Sequence, residues 1–266
     1  MREAVTNRVP HIIFLYWVIK IASTTLGETG ADMFSMTFDL GYGTTIALFT
    51  VLFIGLLAIK LSVKKYEPVI YWLVFTATAV VGTAISDFID RTLGLGYAMG
   101  SAVLMAILLL ILFFWHKQEK SINVEQITTS KSEMFYWGAF LVANTLGTAA
   151  GDFLADDLQI GFLISAISIS GVLALLAMLH FFTRTSGVLL FWLAFVLTRP
   201  FGATFGDLLT KSSEYGGLDL GTVGASLFFT VILVVATIKE SKLEKLRKKE
   251  EEGPDEPEAI RLSAQA

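Results

Sequence analysis

The sequence predicts an all-α membrane protein: eight transmembrane helices built from four parallel two-helix repeats, with both termini cytoplasmic. Three observations carry this. Of 266 residues, 54% are hydrophobic and 17% charged, with mean hydropathy +0.66, more apolar surface than a soluble globule of this length hides. Four tryptophans each stand ten residues before a glycine and fifteen before an aspartate: Trp17/Gly27/Asp32, Trp72/Gly82/Asp87, Trp137/Gly147/Asp152 and Trp192/Gly202/Asp207. Lysine and arginine, finally, cluster on one side of an eight-helix arrangement.

The apolar stretches, taken in order, cover about 11–32, 41–61, 69–90, 97–115, 134–155, 160–182, 187–209 and 219–238. Each is near the roughly 20 residues that a helix needs to cross about 30 Å of hydrocarbon. None shows the period-two alternation of barrel strands. Arg2 and Arg8 precede the first stretch, but its length, its Lys20 and Glu28 and its lack of a small-x-small cleavage site make it a retained helix rather than a signal peptide. The chain has no cysteine, which excludes disulfides and thiolate metal sites.

Arg2, Arg8, Lys60, Lys64, Lys65, Lys117, Lys120, Lys131, Arg184 and the Lys239–Lys249 cluster fall on one side; Arg91 and Lys211 fall on the other. By the positive-inside rule the first side is cytoplasmic. Each Trp then lies near the cytoplasmic interface and each Asp toward the outer face, about 22 Å along the helix at 1.5 Å per residue, with the glycine near mid-membrane.

Each repeat reads as a hairpin of a polar-marked odd helix and a plainer even helix. The Trp spacings are 55, 65 and 55 residues, and the ten extra residues fall in the hydrophilic segment 117–133. The expected organisation is therefore an eight-helix domain over 1–240, with repeats at about 10–62, 68–116, 133–183 and 187–239 and two four-helix halves joined by 117–133. Residues 241–266 form a charged cytoplasmic tail, a short helical extension followed by disorder from the Pro/Glu-rich part at Gly253. Two helices per repeat return the chain to its starting side, so the repeats are related by an axis along the membrane normal.

Counted from each Trp, positions +7, +11 and +15 share one helix face. That face reads Thr24/Glu28/Asp32, Ala79/Thr83/Asp87, Asn144/Thr148/Asp152 and Arg199/Ala203/Asp207. A seam of small residues runs beside it at +10 and +14: Gly27/Ala31, Gly82/Ser86, Gly147/Gly151 and Gly202/Gly206. Small residues four apart let helices approach closely in lipid, so the odd helices are expected to pack together and bring the aspartates into convergence. An Asp near a helix end can equally serve as a cap or as the partner of an arginine. Glu28 near mid-membrane has no acidic counterpart in the other repeats, and a carboxylate facing lipid there costs roughly 2.5–3.5 kcal/mol, so it faces a cavity or a partner.

Two cations lie on odd helices. Lys20, about 5 Å deep, is placed to snorkel to the cytoplasmic face; Arg199, deeper and on the face of Asp207, is placed to pair with Glu28 or a repeat aspartate. Pro200 and Gly202 make the seventh helix the expected site of a kink or break. Asp39, Asp90, Asp156, Asp157, Glu214 and Asp219 form an acidic outer rim, and His11, His116 and His180 read as interfacial residues. No HExxH, P-loop or GxSxG stands in a supporting context. No cofactor and no enzymatic activity are expected.

The motifs GETGAD (27–32), GTAISD (82–87), GTAAGD (147–152) and GATFGD (202–207), with an aromatic residue before each Trp, resemble those of bacterial polytopic proteins built from four tandem two-helix repeats with a characteristic tryptophan, known as uncharacterised membrane-anchored proteins. The resemblance implies eight membrane helices and multi-pass residence in a bacterial inner membrane; it implies no activity and no site residues.

The residues themselves point to a transporter or exporter of a small cation, a proton or a hard divalent ion such as manganese or magnesium, because the donor set is oxygen. Glu28, Asp32, Asp87, Asp152 and Asp207 are the expected path and metal ligands. Thr24, Thr83, Asn144 and Thr148 are neutral donors, and Lys20 and Arg199 charge partners. The alternative is a non-transporting scaffold or partner subunit whose charges form an internal network. The bilayer and a small cation are the expected partners; nothing points to nucleic acid, and the oligomeric state is open.

Overall fold

The computed structural model describes residues 7–124 and 127–252; Arg2 and the tail from Gly253 lie outside them. Among these residues there are eight α-helices and no strand: α1 (Phe14–Asp32), α2 (Gly41–Ser62), α3 (Pro68–Asp87), α4 (Tyr97–Glu119), α5 (Ser130–Asp152), α6 (Phe162–Phe182), α7 (Gly187–Thr210) and α8 (Thr222–Glu252). Local chemistry sets several of their starts. Pro68 opens α3, where its missing N–H costs nothing, and the Thr129 and Ser186 side chains accept from Ser132 N and Leu189 N at the starts of α5 and α7.

Six helical segments are long and apolar enough to cross a membrane: α2, α3 with its following turn, α4, α6, α7 and α8. The other two, α1 and α5, have 19 and 23 residues. They are long enough, and miss only in apolarity, because they carry Lys20, Glu28 and Asp32, or Lys131, Glu133 and Asp152, among many Ser, Thr and Asn.

The odd helices form a ring in the order α1–α3–α5–α7, each packed on two others, and the even helices lie outside it. Each even helix packs chiefly on the next odd one: α2 on α3, α4 on α5, α6 on α7, and α8 back on α1. The membrane-length segment of α3 is 72% buried and that of α2 only 17%, so the polar faces of the odd helices are hidden and the plain even helices meet the surroundings. The small-residue seam makes this closeness possible. A Cβ on Gly27 would stand 2.9 Å from the Ala79 carbonyl carbon, one on Gly82 2.9 Å from Thr145 N, and one on Gly202 3.0 Å from the Thr24 carbonyl carbon. Such approaches leave no room for a side chain.

All four turns at the Asp end finish on the same pair of backbone conformations. A residue with positive φ (Asp39, Gly94, Gln159, Asp219) is followed two positions later by a positive-φ glycine (Gly41, Gly96, Gly161, Gly221) at the start of the even helix. That glycine stands 24 residues after its Trp in three repeats and 29 after Trp192, so the fourth repeat carries five extra residues before α8.

In repeats one to three the odd helix passes into a wider turn just after its Asp. Phe38, Leu93 and Leu158 N–H groups bond back five residues to Met33, Phe88 and Phe153 at 2.8, 2.9 and 3.0 Å. The expected break at Pro200 does not occur: α7 runs on from Gly187 to Thr210. Pro200 lies within it with its ring against Gly147 of α5, where a Cβ would stand 3.0 Å from the proline Cδ.

Candidate functional site: a charged axis between the odd helices

Every fourth residue of each odd helix faces the ring's centre, and the repeats stack these residues in layers. Nearest the tryptophans lie Tyr16, Tyr71, Tyr136 and Phe191; the Tyr71 and Tyr136 hydroxyls are 2.5 Å apart, and the Tyr16 and Phe191 rings 6.3 Å. Next come Lys20, Phe75, Phe140 and Phe195, all at most 1% exposed. Phe140 stacks on Phe195 at 4.0 Å and Phe75 meets both edge-on. These two layers close the Trp end of the axis with aromatic rings.

Lys20 stands inside that closure. The expected snorkelling does not occur. Its ammonium lies 3.9 Å from the Phe195 ring centre and donates to the Phe195 carbonyl at 2.9 Å and to the Thr198 hydroxyl, a cation–π site capped by two oxygens. Among the described residues it makes no ion pair.

The next layers are held by Arg199, whose guanidinium bonds to all three other odd helices. It donates to the Thr24 carbonyl at 3.2 Å, Glu28 Oε2 at 3.1 Å, Thr148 Oγ1 at 2.7 Å and the Thr83 hydroxyl. Both Arg199 and Glu28 are buried. A carboxylate and a guanidinium removed from water hold their charges only with such partners, and this explains the two threonines directed at the same nitrogen. Asn144, grouped with these donors on sequence, turns elsewhere: its side-chain amide donates to Thr78 Oγ1 at 3.0 Å.

The four repeat aspartates form the last buried layer, and two cations bridge them in pairs. Arg91 lies 3.5 Å from both Asp87 and Asp152; Lys211 lies 2.7 Å from Asp32 and 3.2 Å from Asp207. Although burial works against its charge, Asp207 and Asp32 hold the Lys211 ammonium above the ordinary lysine range. The four-fold repeat is thus a two-fold arrangement at its charges. Arg91 serves repeats two and three, and Lys211 serves repeats four and one. One oxygen each from Glu28, Asp32 and Asp207 lie within 4.8 Å of one another, so the five expected metal ligands divide: these three share one locus, and Asp87 and Asp152 sit on the Arg91 side.

Arg91 and Lys211 are the site residues that sequence reasoning leaves among the outer turns. The signal is present four residues after each repeat Asp, where the chain reads Met36, Arg91, Asp156 and Lys211: a base in alternate repeats, one helical turn from its acid. The column Lys20/Phe75/Phe140/Phe195, three residues after each Trp, is likewise readable. Asp90 is not part of a solvated rim: it is buried, bonded by the Ser86 hydroxyl at 3.4 Å and seated over Gly100 of α4. At the opposite end Glu133 accepts from Arg8 at 2.9 Å and Lys60 at 2.6 Å, so two basic residues counted toward orientation are internal.

No curated protein and no solved structure matches this chain. A family model described as Repeat of Unknown Function (DUF347) matches it four times in tandem, over residues 15–66, 70–121, 135–186 and 190–243. Each match begins two residues before a repeat tryptophan and spans an odd helix, its turn and the following even helix. The chain therefore belongs to the Repeat of Unknown Function (DUF347) family.

Proposed function

We propose that this protein spans a bacterial inner membrane eight times, with both termini cytoplasmic, and carries a small cation, a proton or a hard divalent ion such as manganese or magnesium. Glu28, Asp32 and Asp207 would be its principal ligands. The observation that carries the reading is a charge imbalance on the axis: among the described residues five buried carboxylates stand against four cations, Lys20, Arg91, Arg199 and Lys211, of which only the last three pair with them. Both Asp87 oxygens and one each of Asp152 and Asp207 lack a hydrogen bond. Buried carboxylates in excess of their counter-charges take up protons or metal ions.

Access supports the same reading. Lys211 and Arg91 keep 24% and 31% of their side chains exposed, so water reaches the Asp end, while aromatic layers close the Trp end. This geometry suits a carrier facing one way. Lys211 lies between Asp32 and Asp207 as a cation would, and it is the first residue beyond α7; its withdrawal would vacate the position for an ion. α1 and α5 would cross the membrane as members of the inner ring, shielded by their neighbours, which reconciles eight spans with their polarity. The role is that of a carrier and not an enzyme.

A second reading, a non-transporting scaffold or partner subunit, is favoured by the fact that each of the five carboxylates has at least one ion-pair partner. Thermal unfolding of the purified protein against a panel of ions separates the two. A ligand that binds only the folded state raises its stability with concentration. On the carrier reading Mn²⁺ or Mg²⁺ raises the midpoint, and Asp32→Asn or Asp207→Asn removes that rise; a midpoint indifferent to every ion and to pH supports the scaffold.

A further inference from the structure

The repeats are equivalent in all but one quadrant at the Trp end. Counted from the positive-φ glycine that opens each even helix, the nineteenth residue after it is Lys60, Trp115, His180 or Glu240. Three of these are buried and reach across to the odd helix beyond the one their own helix packs on. Lys60 of α2 binds Glu133 of α5, Trp115 of α4 meets Trp192 of α7 at 5.9 Å, and Glu240 of α8 accepts from Trp72 of α3 at 2.5 Å. His180 of α6 should reach α1 in the same way. It is exposed, and its side chain makes no hydrogen bond with any described residue. Where its counterpart would lie there is a crevice of about 960 Å³ between α1, α6 and α7. Trp17 on its wall is only partly buried, whereas Trp72, Trp137 and Trp192 are buried.

We propose that this crevice binds one acyl chain of an anionic phospholipid, which supplies the packing that a side chain supplies in the other three quadrants. The walls are apolar, among them Ile21, Leu173, Leu176 and Phe191, and among the described residues no Asp or Glu lines them. From Leu173 to Phe181 the α6 wall runs about 12 Å at 1.5 Å per residue, room for much of a chain's length. Phe14 and Phe181 at its edge are 84% and 78% exposed, and in a protein with six membrane-length helices that face meets hydrocarbon. The head would lie at the Trp end, beside His180 and the turn that joins α6 to α7. There the exposed Arg184 makes no ion pair with any described residue and stands two positions before the lining Ser186. The positive charge of Arg184, with no acid among the described lining residues, selects an anionic head.

Trp17 reports the occupant. The full-length protein is reconstituted in phosphatidylcholine vesicles containing a small fraction of acyl-brominated phosphatidylglycerol or, in parallel, the same fraction of acyl-brominated phosphatidylcholine; bromine quenches an indole only on contact. Severalfold stronger quenching by the brominated phosphatidylglycerol is expected, abolished in Trp17→Phe and reduced in Ala177→Phe, which fills the crevice from an exposed position on α6. Arg184→Gln should equalise the two lipids while leaving the protein folded, as judged by its circular dichroism. Equal quenching by the two lipids in the unmodified protein, or quenching unchanged by Ala177→Phe, would overturn the assignment.

Discussion

Arg199 on α7 and Glu28 on α1, 171 residues apart in sequence, meet at 3.1 Å on the axis of the bundle. Thr83 and Thr148 of the remaining two odd helices bind the same guanidinium nitrogen. One side chain thereby ties the four repeats together where the repeat itself is broken, because the other repeats carry no arginine or glutamate in those columns.

Removing either partner strands a buried charge. Arg199→Gln or Glu28→Gln should each lower stability by about 3–5 kcal/mol, and the double substitution by less than the sum, with a coupling of roughly 0.5–3 kcal/mol. Chemical or thermal unfolding in detergent of the two single variants and the double variant measures this directly. Additive losses would mean that the ion pair is incidental.

The glycine seam makes a second, independent demand on packing. Gly27→Ala and Gly82→Ala place a Cβ within 2.9 Å of backbone atoms of the neighbouring helix and should cost about 1–3 kcal/mol. Gly55→Ala and Gly171→Ala meet nothing within 4 Å and should be neutral or stabilising by up to about 1 kcal/mol. Unfolding midpoints of the four variants check the contrast, and similar effects at both pairs would deny that the seam is where the helices touch.

Much of the inner ring is legible in the sequence because its cause is periodic. A small residue ten positions after each Trp and an acid fifteen after it fix which face of each odd helix meets its neighbours. The charges are less legible because they obey a two-fold order laid over a four-fold one. Arg91 and Lys211 are each within ion-pair range of the aspartate four residues earlier in their own repeat and of another on an adjacent odd helix, and the second contact exists only once the ring closes. Lys20 is misread for a related reason: depth along a helix does not reveal that Phe75 and Phe195 from other repeats lie against the ammonium. The widened turns after Asp32, Asp87 and Asp152 leave no mark in the composition at all.

Orientation can be checked against an empty background, since the chain contains no cysteine. Single cysteines at Asp39, Gly94, Asp157 or Gly216 should react with an impermeant thiol reagent added to intact cells or spheroplasts, and one at Lys64 or Asn123 should not. The opposite pattern would turn the acidic layer toward the cytoplasm.

The central claim, that the acidic axis carries a cation, is tested most directly by ion flux into proteoliposomes across a panel of protons, Mn²⁺ and Mg²⁺, with rates normalised to folded protein. The account predicts flux of at least one of these ions by the unmodified protein and its loss in Asp32→Asn and Glu28→Gln for the molecules that remain folded. Folded Glu28→Gln and Asp32→Asn proteins that transport as fast as the unmodified one, or no flux of any ion by the unmodified protein, would contradict it.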